Sequence, residues 1–400
     1  MKVVFEDEQL SFQLLRIMGT SVCGGADIGE CLSTAYRIEP GDFESWYAEW
    51  LATAERLLEE ARGSLSRGHR VSAREAYLRA SNYFRAAEFY LHGNPDDPRI
   101  GELSKRSLEC FDRFLEMSEL PIEKVEIPHE GTVLPGYFYA PDDSGVSRPT
   151  LILQTGFDGT QEELYFGGAV AAARRGLNCL TFEGPGQGRV IREQGLPFRP
   201  DWEKVVTPVV DYALTRSEVD PDRIALMGVS FGGYLAPRAA AFEKRLAACI
   251  ANGGVFDFMG SRVPEGMERE QFFSYIRENP GDFDNVMNDM MKTNTEMRWS
   301  MNNGMFTFKA SSPADWMLKC SEYHLAGIAE LIECPTLVID SEGDKSFPGQ
   351  AKKLFDALKC PRKWMLFTAE EGAEEHCQVG AALLSTMRIL DWLEEALGGV

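Results

Sequence analysis

Apolar residues recur every three to four positions from about residue 42 to 118, the spacing of helices with one buried face. DFESWYAEWLATAERLLEEARGSL is the first such stretch, with Asp42 placed to cap it. VSAREAYLRASNYFRAAEFYLHG repeats the pattern and stops at Gly93, ahead of Asn94-Pro95. GELSKRSLECFDRFLEMS follows as a third helix, and no fixed period continues beyond it, which argues against a helical repeat array. At about residue 121 the period changes to alternation: IEKVEIP, HEGT and VLPGYFYAP read as a hairpin. Short apolar strands then appear at TLILQTG, LNCLTFEG, RIALMGVS, LAACIANGG, PTLVIDSEG and KWMLFTAEE, with helical stretches such as EELYFGGAVAAARRG and EKVVTPVVDYALTR between them. This alternation predicts an α/β fold, a mostly parallel sheet with helices on both faces.

The alternation breaks between residues 256 and 330, where Met, Phe and Trp are dense and no strand pattern occurs. The chain therefore divides into an N-terminal helical cap (1–120), a core in two parts (121–255 and 331–400) and a helical insertion (256–330). Such an insertion either completes a helical core or forms a lid whose aromatic and Met side chains, Trp299 and Phe306 among them, line a substrate cavity.

A length of 400 residues exceeds one compact core, in keeping with this division. The formal net charge of −21 would be repelled by phosphate backbones, which argues against nucleic acid as a partner. The nine cysteines form no CxxC pair and show no metal-ligand spacing, so no metal or other cofactor is expected, and a reducing compartment fits them. Acidic residues interrupt the N-terminal MKVVFEDEQLSFQLL, unlike a signal peptide, and no run approaches eighteen apolar residues. A cytoplasmic protein with no membrane partner and a small-molecule substrate is expected.

The strongest chemical signal is Gly228-Val229-Ser230-Phe231-Gly232-Gly233, directly after the strand RIALM and before the helical YLAPRAAAF. This is the strand–turn–helix setting of a nucleophile elbow, which lifts a serine hydroxyl above the sheet edge. The hydroxyl needs a base. Among His69, His92, His129, His324 and His376, only His376 follows the last strand. The acid must leave the end of PTLVID, where Asp340, Glu342 and Asp344 stand; Asp344, beyond Gly343, is best placed to turn back towards His376, with the other two as alternatives. Two backbone donors should stabilise an oxyanion: the N–H of Phe231 and, from the loop QTGFDGT, that of Phe157 in preference to Gly156. Glu183 in FEGPGQG either faces the pocket or serves a purely structural turn.

FDGTQEE, FEGPGQG, GVSFGGY, SEGDKSF and EGAEEHCQ together resemble the α/β-hydrolase superfamily, in the branch of 2,6-dihydropseudooxynicotine hydrolase, fungal polyketide-shortening hydrolases of pigment pathways and FrsA-type esterases. The resemblance extends to the N-terminal helices and implies the α/β-hydrolase fold with a Ser230, Asp344 and His376 triad. It further implies a metal-free hydrolase, often a homodimer, some of whose relatives cleave a carbon–carbon bond beside a ketone. Asp257 in GGVFDF is the nearest counterpart of an additional carboxylate found in some members. An ester, ketone or polyketide-like substrate is expected. An aminopeptidase or acyl-peptidase and an acyltransferase remain as alternatives, and a non-enzymatic ligand-binding protein would be expected to have lost one of the three residues.

Overall fold

The computed structural model describes residues 1–399. They form two compact units, Met1–Ile122 with Met290–Phe306, and Glu123–Asp289 with the chain from Thr307 onward.

In the first unit the expected helices are Phe43–Ser66, Arg70–Glu88 and Pro98–Leu115. Asp42 caps the first of them, accepting hydrogen bonds from the Glu44 and Ser45 amides at 2.8 and 3.1 Å. Two shorter helices, Glu8–Gly19 and Ile28–Ala35, precede them. The buried stripe of Phe43–Ser66 carries Trp46, Trp50, Leu57 and Ala61. Trp46 stacks edge-on against Tyr90, with ring centroids 5.2 Å apart, and its indole N–H donates to the Ala86 carbonyl at 2.8 Å. A buried indole N–H usually finds such a partner.

The 256–330 insertion does not behave as one body. Its middle, residues 290–306, belongs to the helical unit. There the Thr295 hydroxyl donates to Asp7 at 2.6 Å, the Arg298 guanidinium lies 4.0 Å from the Phe43 ring centre, and Trp299 stacks on Phe89 with centroids 5.6 Å apart. An apolar helical face in a sequence shows that something covers it, not which element does, so periodicity could not reveal this split.

The second unit is built on an eight-stranded sheet in the order β1-β2-β4-β3-β5-β6-β7-β8. The strands are β1 Ile122–His129, β2 Thr132–Tyr139, β3 Arg148–Gln154, β4 Asn178–Phe182, β5 Val219–Val229, β6 Ala248–Asn252, β7 Thr336–Ser341 and β8 Arg362–Phe367. β2 runs antiparallel to β4, and the pairings from β4 through β8 are parallel. β4 and β6 are buried throughout, which explains their continuous apolar runs.

Register decides where function can sit. Phe182, Gln154, Gly228, Ala251 and Val338 form one row across adjacent strands. The loops that follow these residues therefore emerge together at the carboxyl edge of the sheet, where open α/β sheets place their ligands. Among the described residues no helix is long and apolar enough to cross a membrane.

Candidate active site

β5 ends at Val229, and the helix Gly232–Ala240 begins after a turn of two residues. At the turn Ser230 has φ of 64°, a left-handed conformation that costs a non-glycine residue on the order of 1 kcal/mol or more. Hydrogen bonds hold it there. The Ser230 N–H donates to the Asn252 carbonyl at 2.9 Å, and the Gly233 N–H donates to the Ser230 carbonyl at 2.7 Å. A Cβ on Gly228 would lie 1.9 Å from the Gly232 carbonyl oxygen, so no side chain fits at that position. The loop after β3 also presses close, since a Cβ on Gly156 would come within 2.6 Å of the Phe231 nitrogen.

His376 opens a short turn in the loop after β8. Its Nε2 lies 2.8 Å from the Ser230 Oγ, and its Nδ1 lies 2.7 Å from the Asp344 Oδ2. The other oxygen of Asp344 accepts from the Ser346 and Phe347 amides at 2.7 and 3.2 Å. An ionised carboxylate can only accept, so Nδ1 bears the proton and Nε2 is left to accept from the serine hydroxyl. Burial alone would lower the His376 pKa; the charge of Asp344, then Cys377, and the hydrogen bond to Asp344 together outweigh it and hold the imidazole well above its ordinary 6.5. Burial would likewise raise Asp344, but the facing imidazole and the two backbone amides keep its carboxyl below the usual range. Of the other two candidate acids, Glu342, just past β7, accepts from the Ala369 amide at 2.8 Å, and Asp340, still within β7, accepts from the Ser341 amide at 3.0 Å.

The two expected oxyanion residues lie in one aromatic cluster. Phe231 and Phe157 both approach Phe258, with centroids 4.0 and 5.8 Å away. Phe157 also neighbours Trp316 at 6.0 Å, and Phe347 carries the cluster to the edge of the His376 ring at 5.5 Å.

The remaining expected residues each have partners of their own. Glu183 is fully buried under the turn after β4, where it accepts from the Gln161 and Arg189 amides at 3.0 and 2.8 Å, and burial pushes its carboxyl up. Both oxygens of Asp257 are engaged, one by Arg269 at 2.7 Å and one by the Met259 amide at 3.0 Å, so this carboxylate ties down the start of the insertion. Trp299 and Phe306 belong to the helical unit, where Phe306 stacks on His92 with centroids 4.4 Å apart. Sequence reading passes over Phe258, whose only signal is its position next to Asp257. It also passes over Cys377, whose sulfur lies 3.4 Å from the His376 Nε2.

A parallel sheet with an elbow serine, an imidazole and a carboxylate joined at its carboxyl edge is the architecture of an α/β-hydrolase. Residues 155–375 match the alpha/beta hydrolase family, and the chain belongs to it. It is 36% identical to a hydrolase from a Fusarium species, over 100% of this chain and 99% of that one. It is 35% identical to the 20-hydroxy-prefusarin hydrolase of Gibberella moniliformis, over 98% of each. The crystal structure of 2,6-dihydroxy-pseudo-oxynicotine hydrolase shares the fold, with a TM-score of 0.74, 22% identity and 95% of both chains covered. Family and relatives agree on a hydrolase.

The close approach at the elbow yields a stability prediction. Gly228→Ala should lower unfolding stability by about 3 kcal/mol or more, the upper range for overpacking. A urea midpoint equal to that of the unaltered protein would show that the turn can open to admit a methyl group.

Proposed function

We propose that this hydrolase works through a Ser230 acyl-enzyme on a polyketide-like ester or ketone. The observation that carries the reading is the continuous hydrogen-bonded chain from Asp344 through His376 to Ser230, at 2.7 and 2.8 Å, ending on a serine held at positive φ. Ser230 Oγ attacks the substrate carbonyl carbon while Nε2 of His376 takes its proton. The oxygen that becomes negative is stabilised by the Phe231 and Phe157 amides. As the intermediate collapses, His376 returns the proton to the leaving group, an alcohol oxygen in an ester or an enolate carbon in a β-diketone. Water, deprotonated by the same imidazole, then attacks the acyl-enzyme; His376 gives that proton to Ser230 Oγ as the bond to the acyl group breaks and the acid leaves. Asp344 keeps Nδ1 protonated and stabilises the imidazolium between these steps.

The substrate class is supported by the named action of the Gibberella relative, at 35% identity over nearly the whole chain, and by the aromatic rings around Phe157 and Phe231. The nine cysteines, with no CxxC pair among them, favour a reducing, cytoplasmic setting.

A fluorophosphonate should label Ser230, and Ser230→Ala should abolish labelling and cut turnover about 10⁶-fold while the fold persists. His376→Ala should cost about as much and the double variant little more, because the residues act as one unit. Labelling at another residue, or residual turnover within tenfold, would remove Ser230 from the mechanism.

Protonation supplies a separate check. The imidazole must be neutral to accept the serine proton, so kcat/KM should fall as pH drops through its raised pKa, with the acid limb centred above 6.5. Asp344→Asn removes the largest of the influences that raise it. The residual activity, reduced about 10⁴-fold, should therefore have its acid limb at lower pH. A limb that stays in place would mean that another group titrates.

A panel of aryl esters, β-diketones and aminoacyl anilides tests the substrate class. Aryl esters and β-diketones should turn over and aminoacyl anilides should not. The opposite preference would mark a peptidase.

A further inference from the structure

Gln187 lies in the turn after β4, buried, with both ends of its side-chain amide engaged. Its Oε1 accepts from the Gly184 N–H at 2.9 Å. Its Nε2 donates to the Thr155 carbonyl at 2.9 Å and to the Gly156 carbonyl at 3.2 Å. The second of these bonds matters for chemistry. The Gly156 carbonyl and the Phe157 N–H belong to the same peptide unit, which is planar and trans, so the two groups point in opposite directions. A donor that captures the Gly156 oxygen therefore also fixes where the Phe157 N–H points.

The same turn fastens the loop at its other end, where Glu183 accepts from the Gln161 N–H at 3.0 Å. Residues 155–160 are thus held at both ends by the chain after β4, while Gly156 rests against the Phe231 amide. β3 has its own anchor, because Gln154 accepts from the Trp202 indole N–H at 2.8 Å. Loss of Gln187 should therefore free the loop without displacing the strand.

We propose that Gln187 is a positioning residue that aims the Phe157 N–H and so completes the oxyanion hole. This rests on the reading of Ser230 as nucleophile and Phe157 as second donor. Gln187 touches no reacting atom and acts only through the orientation of one peptide plane.

The rate of phosphonylation by a fluorophosphonate tests the proposal without knowledge of the natural substrate. In that reaction the Ser230 oxygen–phosphorus bond forms, the phosphorus–fluorine bond breaks, His376 takes the hydroxyl proton and fluoride leaves; the phosphoryl oxygen occupies the oxyanion hole. Gln187→Met keeps the side-chain length and deletes the donor. It should lower the maximal inactivation rate about 10²-fold, the loss expected for one oxyanion donor. The inhibitor's binding constant should change less than about threefold, since ground-state binding does not use that donor. A merely structural role would move both constants or neither. Gln187→Leu, apolar and without a donor, should show the same split and serves if the Met variant does not fold.

A folded variant with an unaltered inactivation rate overturns the proposal. So does a Phe157→Pro variant, which lacks the N–H, if it reacts at the original rate. A wild-type protein that is not labelled at Ser230 instead overturns the acyl-enzyme reading itself.

Discussion

Three backbone segments meet behind Ser230 at distances that admit no side chain between them. Gly228 faces the Gly232 carbonyl, Gly156 faces the Phe231 amide, and Gly233 faces the Gly253 carbonyl. The elbow, the loop after β3 and the loop after β6 are thereby locked into one block. A serine at positive φ would relax in a looser turn. Here the surrounding sheet over-determines it, which is how local strain persists at functional sites. Because the loop after β3 belongs to that block, the direction of the serine hydroxyl and the position of the facing amides are set by the same contacts.

The charge arrangement depends on that rigidity. A buried carboxylate and a buried imidazole each cost several kcal/mol to desolvate when alone. Asp344 offsets this with two backbone amides on one oxygen and His376 on the other. The pair thus favours the ionised carboxylate and a more basic imidazole. Cys377 adds a sulfur beside the same Nε2, held by a contact of 3.6 Å to the Asn252 carbonyl.

Much of this could be read from the residues alone, for chemical reasons. Ser230 stands in a glycine pattern that only a tight turn demands, His376 is the one histidine beyond the last strand, and Asp344 lies just far enough past β7 to turn back. Sheet class and the three helices between residues 43 and 115 were equally legible, because burial imposes period on sequence; the two shorter helices before them were not. What periodicity cannot carry is the identity of partners. Residues 290–306 resemble the rest of the insertion yet pack with the N-terminal helices, and Glu183 gave no sign that both its oxygens hold backbone amides. Gln187 was invisible for the same reason, since its two acceptors lie some thirty residues earlier in the chain.

The path of the chain between the two units bears on inheritance. It passes from one to the other at Ile122, leaves the catalytic unit again after Asp289 and returns at Thr307. The helical unit is therefore not a detachable prefix. A recombination that exchanged only the first 122 residues would leave Trp299 and Phe306 behind without Phe89 and His92, the rings they stack on. Such a chimera would expose two large aromatics, so the two pieces of the helical unit are constrained to descend together.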